Sequence, residues 1–137
     1  MLWDRDGKPI TALEGHTGSI LGAFLLPDGR ILSWSWDKTL RLWDKAGKSL
    51  AVLVGHSGIV EGAVILPDGQ ILSWSYDNNL RIWDCVGKPL TILEGHTLWV
   101  KGALAFPDER ILSWSWDNTL RLWDQGGKPQ VVLVGHY

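Results

Sequence analysis

Cysteine is nearly absent. Cys85 stands alone, so no internal disulfide can form and an oxidising compartment is not indicated. Charge of one sign is also lacking. The formal net charge is −2, and lysines and arginines are scattered singly, which argues against a nucleic-acid surface. No apolar run approaches membrane-spanning length, so no membrane partner is expected. No segment carries a convincing helical period of apolar residues. The pattern described below begins at Leu2-Trp3-Asp4, which is read as leaving no room for a signal peptide. The expectation is a cytoplasmic protein, or a piece of something longer.

What is present is a large aromatic load and a strict repeat. Hydrophobic residues make up 45% of the 137, enough for one packed domain. Ten of them are tryptophans, which must be either packed or used in recognition. Leu2-Trp3-Asp4 returns as Leu42-Trp43-Asp44, Ile82-Trp83-Asp84 and Leu122-Trp123-Asp124. Gly15-His16 returns at Gly55-His56, Gly95-His96 and Gly135-His136. Ser33 to Asp37 returns at Ser73 to Asp77 and Ser113 to Asp117, and Pro27-Asp28 at Pro67-Asp68 and Pro107-Asp108. An uninterrupted period of this length signals a repeat architecture.

Each period reads as four short strands. In the first they run from Ile20 to Leu26, Arg30 to Trp36, Thr39 to Trp43 and Leu50 to Val54. Pro27-Asp28-Gly29, Asp37-Lys38 and Gly47-Lys48 supply the turns. The Asp-Gly and Gly-Lys pairs carry no phosphate-loop pattern.

The Gly-His, the Ser-x-Asp-x-Thr and the closing Trp-Asp, at these offsets, resemble the WD-repeat (WD40) family over the whole chain. The resemblance implies an all-β propeller of four-stranded antiparallel blades, with the sequence repeat offset from the blade. Blades would span about 17–54, 57–94 and 97–134. It also implies one hydrogen-bonded set per blade: His16-Ser33-Asp37-Trp43, His56-Ser73-Asp77-Trp83 and His96-Ser113-Asp117-Trp123. Ser35, Ser75 and Ser115 are alternatives for the serine. Two departures bear on blade packing. Trp34, Trp74 and Trp114 stand where the family has a small residue, and Asn79 replaces the Thr of Thr39 and Thr119.

Three blades leave two apolar faces and open strand edges uncovered. Closure through copies of the same chain is therefore expected. A trimer would give nine blades and a dimer six. The trimer is favoured, because Trp34 with Trp36 and Trp114 with Trp116 should hold blades apart. Residues 1–16 duplicate the C-terminal outer-strand segment, so Pro9 to Glu14 and Gln130 to Val134 compete for one place, as do His16 and His136. One terminal segment should be displaced.

His, Ser and Asp in every repeat raise the question of a hydrolase triad. Three equal copies fit a buried structural network better than one active site. No catalytic residues, cofactor or metal are assigned, since the histidines lack the short spacings of zinc sites. Trp36, Tyr76 and Trp116 precede the turn aspartate and should lie near the rim, where packing over the neighbouring blade is their more usual use. Trp34, Trp74 and Trp114 are assigned to the opposite strand face and to the core. Trp99 differs from Ser19 and Ile59 at matching places, and Leu21, Glu61 and Lys101 differ from one another. Such variation marks positions the fold does not dictate, and a Glu61–Lys101 attraction between blades is one expectation. The functional expectation is a non-catalytic scaffold for protein or peptide partners. The alternative is lectin-like glycan binding by the repeated rim aromatics.

Overall fold

The computed structural model describes residues 2–3, 9–11, 15–124 and 126–134. Three four-stranded antiparallel sheets follow one another along the chain. The first holds β3 (Ile20–Leu25), β4 (Ile31–Ser35), β5 (Thr39–Trp43) and β6 (Ser49–Val54). The second holds β7 (Val60–Ile65), β8 (Ile71–Ser75), β9 (Leu80–Trp83) and β10 (Pro89–Leu93). The third holds β11 (Val100–Ala105), β12 (Ile111–Ser115), β13 (Thr119–Trp123) and β14 (Pro129–Val134). In each, spatial order equals chain order, so every connection is a hairpin. Two further strands, β1 (Leu2–Trp3) and β2 (Pro9–Thr11), pair antiparallel.

Turn chemistry sets the hairpins. Between the first two strands, Pro27 presets φ and the Asp28 carboxylate accepts the Arg30 amide at 3.0 Å. Gly29 then takes φ +90°, a conformation open to glycine without strain. The third repeat places Glu109 there at φ +75°. Between the last two strands, Asp44 Oδ1 accepts the amides of Ala46 and Lys48, both at 2.9 Å. β4 ends at Ser35, one residue before the expected Trp36. The Trp36 amide donates instead to the Ser19 carbonyl at 2.9 Å, so the chain leaves the ladder there.

Alternation along each strand sends apolar side chains to both faces, and the cores form between sheets. Leu32, Leu40, Leu42 and Leu53 of the first sheet pack on Val60, Ala63, Ile71 and Trp83 of the second. Leu72, Trp74, Leu80, Ile82 and Leu93 of the second repeat this against Val100, Ala103, Ile111 and Trp123 of the third. The first strands of neighbouring sheets approach each other, β3 to β7 and β7 to β11. The fourth strands lie furthest out.

The register β1–β2 repeats that of β13–β14. Leu2 faces Thr11 and Trp3 faces Pro9, as Leu122 faces Val131 and Trp123 faces Pro129. The expected outer strand Pro9 to Glu14 is therefore seen as Pro9–Thr11, and residues 12–14 lie outside the described residues. His136 lies outside them as well, so its competition with His16 has no structural description. Asn79 does not prevent the second sheet from forming. It shortens β9 by one residue relative to β5 and β13.

Trp34 and Trp36 are two residues apart, so they share a face rather than opposing each other. What separates them is the end of β4. Trp34, Trp74 and Trp114 pair across the ladder with Gly22, Gly62 and Gly102. A Cβ at any of these glycines would run into the indole. The missing small residue on one strand is thus matched by a missing side chain on its neighbour. Trp36, which has a following sheet, does not fill the seam as expected, and Trp116 lies on the face that no following sheet covers. They are 56% and 57% exposed.

Candidate functional site

Each sheet carries a chain of four polar groups. In the first, the Trp43 indole N–H donates to Ser33 Oγ at 2.9 Å. Ser33 Oγ lies 2.8 Å from His16 Nε2, and His16 Nδ1 lies 2.8 Å from Asp37 Oδ2. The indole occupies a lone pair of the hydroxyl, so the hydroxyl donates to Nε2 and Nδ1–H donates to the carboxylate. His56, Ser73, Asp77 and Trp83 are arranged alike, and so are His96, Ser113, Asp117 and Trp123. Ser35, Ser75 and Ser115 take another part. Their Oγ atoms accept the amides of Asp37, Asp77 and Asp117.

The carboxylates are strongly held. Burial alone would raise the Asp37 pKa, but hydrogen bonds from the Thr39 hydroxyl, His16 and the amides of Thr39 and Thr17 outweigh it and bring it to about 2. Asp117 is lowered in the same way, against its burial, by the Thr119 hydroxyl, the Thr97 amide and His96. Asp77 is lowered despite burial chiefly by His56, and no hydroxyl helps because Asn79 stands in the Thr place. Burial lowers the His96 pKa, which keeps that imidazole neutral, the form the chain of bonds requires.

These distances match those of a serine hydrolase triad, but access does not. Ser33, Ser73 and Ser113 are buried, and each hydroxyl is already shared between an indole and an imidazole. No carbonyl carbon can approach such an oxygen without unpacking the sheet. Among the described residues no group of three His, Cys, Asp or Glu side chains is placed to hold a metal ion.

Arginines that sequence reasoning did not single out complete the unit. A Cβ at Gly15, Gly55 or Gly95 would press on the guanidinium of Arg41, Arg81 or Arg121. The glycine of Gly-His is thus where an arginine side chain comes against the loop. The Nε atoms of these arginines are buried and find no hydrogen-bond partner among the described residues. Their signal was available, an arginine two residues before each Trp of Trp-Asp.

The variable positions gather at one rim. Leu21, Glu61 and Lys101 are skipped by the ladder, because Ile20 faces Ser35 while Gly22 faces Trp34, with the same shift in the other two sheets. A bulged residue is freed from pairing and re-aimed. The Lys101 ammonium lies 4.1 Å from the centre of the Trp116 ring. Glu61 lies at the Tyr76 hydroxyl, whose pKa is raised by burial, then by the Glu61 charge and hydrogen bond. The expected Glu61–Lys101 ion pair is not formed, since each charge is drawn to the aromatic of its own sheet. Trp99 stacks on Tyr76 across the sheet boundary, with ring centres 4.0 Å apart and planes 4° from parallel. Tyr76 thus packs over the neighbouring blade as expected of rim aromatics, whereas Trp36 and Trp116 remain open.

Successive four-stranded sheets, each covering the next and approaching through their first strands, define propeller blades. The model of the WD40 family, "WD domain, G-beta repeat", matches residues 7–44, 47–84 and 87–124, and the chain belongs to that family. Each match spans a sheet boundary; residues 47–84 take β6 from one sheet and β7 to β9 from the next. A solved structure, the WD40 beta propeller domain of Doa1, is similar at 28% identity and a TM-score of 0.80. The similarity covers 94% of this chain but 45% of that one, so the chain spans less than half the length of this neighbour. No curated protein matches the chain by sequence.

Proposed function

We propose that the chain is a non-catalytic scaffold that binds protein or peptide partners at the rim bearing Leu21, Trp36, Glu61, Tyr76, Trp99, Lys101 and Trp116. One observation carries this reading. Trp36 and Trp116 are more than half exposed and Trp99 nearly so, while the tryptophans of the polar chains, Trp43, Trp83 and Trp123, are fully buried. Exposed aromatics brought to one rim are what partner recognition uses. WD40 propellers generally serve as interaction platforms, and the burial of Ser33, Ser73 and Ser113 argues against their use as nucleophiles. No helix among the described residues is long and apolar enough to cross a membrane, and the cytoplasm is the proposed location. The test is binding of displayed peptides to the purified chain and to its Trp36→Ala and Trp116→Ala forms. Ligands insensitive to both changes would remove the rim from consideration.

The same reading assigns blades to about 17–54, 57–94 and 97–134 and closes them into a ring with further copies. Support comes from equivalent residues in unequal surroundings. Val60 and Val100 are fully buried under the preceding sheet, while the matching Ile20 is 50% exposed. Leu53 and Leu93 are fully buried under the following sheet, while the matching Leu133 is 53% exposed. The open face of the third sheet therefore carries the residue types that cover the open face of the first, a head-to-tail match. The nine-bladed trimer is proposed over the six-bladed dimer. Light scattering coupled to size exclusion tests this, with about three times the 15.3 kDa chain mass expected. A folded monomer would overturn self-closure and leave the blades standing.

A further inference from the structure

The two seams inside the chain are crossed by different polar side chains. At the first, Arg30 Nη1 donates to the Cys85 carbonyl in the β9–β10 turn, while its Nε donates to Asp28 at 2.7 Å. At the opposite end of β4 the first sheet has Lys38, which carries no side-chain amide. At the second seam the arrangement is reversed. Gln70 stands in the place of Arg30, and Asn78, in the place of Lys38, donates its amide to the Thr97 carbonyl at 3.4 Å. The third sheet carries both side chains at once, Arg110 and Asn118, and has no following sheet among the described residues. Arg110 is held as Arg30 is. Its Nε donates to Asp108 at 2.7 Å, and its guanidinium lies 5.2 Å from the centre of the Phe106 ring. What differs is cover, since the Arg110 side chain is 43% exposed and that of Arg30 21%. Asn118 sits at φ +66°, which asparagine tolerates without any partner, so Arg110 is the stronger of the two indications.

We propose that a second copy of this chain sits on the open face of the third sheet in the register of the internal seams, with Arg110 donating to the Lys45 carbonyl of that copy and Asn118 to its Thr17 carbonyl. Lys45 matches Cys85 and Thr17 matches Thr97, the two carbonyls that the internal seams use. The seam between copies then holds both polar contacts, of which each internal seam shows one. The charged donor is the stronger contact. The proposal rests on the reading that the chain closes with further copies, and it adds the residues that fix how they meet.

The test is sedimentation velocity over a dilution series of the full chain, comparing Arg110→Gln and Asn118→Gly with the same changes at the internal seams, Arg30→Gln and Asn78→Gly. Glutamine is the residue already present at the matching Gln70, and glycine accepts positive φ, so all four changes are compatible with the blades. Arg110→Gln should weaken association about ten-fold and Asn118→Gly about three-fold, the scale of one charged and one neutral hydrogen bond. Arg30→Gln and Asn78→Gly should leave association as it is. A loss at Arg110 alone would sustain the register and remove the Asn118 contact. Equal weakening by the internal changes would overturn the proposal, because the integrity of the blades rather than the seam between copies would then set association. Multimers of undiminished strength in both Arg110→Gln and Asn118→Gly would overturn it as well and leave ring closure intact. A parent chain that stays monomeric at every concentration would overturn both.

Discussion

Trp83 donates its indole N–H to Ser73 Oγ at 2.9 Å, across two strands and ten residues of chain. The same oxygen stands 2.7 Å from His56 Nε2. Removing it leaves a buried donor and a buried acceptor unpaired at once. Ser73→Ala is therefore expected to cost about 1–3 kcal/mol, although it deletes a single atom. Urea unfolding followed by tryptophan fluorescence measures it. A loss within a few tenths of a kcal/mol would mean that the chain of bonds is not a stabilising element.

The second sheet lacks one donor that its neighbours have. Thr39 and Thr119 give their hydroxyls to Asp37 and Asp117, while Asn79 offers Asp77 only its amide, at 3.0 Å. Asn79→Thr should add that bond and extend β9. The expected gain is about 0.5–1.5 kcal/mol. Hydrogen exchange should slow at the amides of residues 79–82 and elsewhere stay unchanged. Faster exchange there would show that asparagine is fitted to this sheet.

Much of this arrangement is legible in the residues themselves. The period marks the strands because Pro-Asp-Gly and Asp-x-x-Gly turns punctuate it, and the polar groups recur at offsets that strand pairing brings together. Other features have no local signature. The bulge at Leu21, Glu61 and Lys101 arises because the Trp36, Tyr76 and Trp116 amides bind the loop carbonyls of Ser19, Ile59 and Trp99, a tertiary event. For the same reason the partners of Glu61 and Lys101 could not be read from their charges, which suggest each other. The arginine on the Gly-His loop was missed because an arginine in a strand ordinarily points to water.

The pairing of Trp74 with Gly62 makes a coupled prediction. An alanine Cβ at Gly62 would overlap the Trp74 ring, and the ring cannot retreat because it is part of the core against Val100 and Ala103. Gly62→Ala should cost about 1–3 kcal/mol through overpacking. In a Trp74→Leu background most of that cost should vanish, since the colliding atoms are gone. A double-mutant cycle reads the coupling directly. Additive effects would mean that glycine is required by the backbone of the bulge rather than by the indole.

Acid should unfold the chain in two stages. A buried neutral histidine disfavours protonation, so the depressed pKa of His96 contributes stability above the unfolded value near 6.5 and loses it as pH falls through the folded value. The carboxylates act in the same direction at lower pH. Asp37 titrates at about 2 when folded against 3.8 for an unperturbed carboxyl, so its contribution is complete above about pH 4 and disappears towards pH 2. That difference corresponds to about 2 kcal/mol. Melting temperature against pH should be flat above about 7, decline gently to about 5 and fall steeply below 4. Asp37→Asn should remove part of the steep limb and lower the plateau, because an amide cannot accept the same bonds. If the variant kept the parent's full acid limb, the carboxylates of these polar chains would not be the groups that set acid stability.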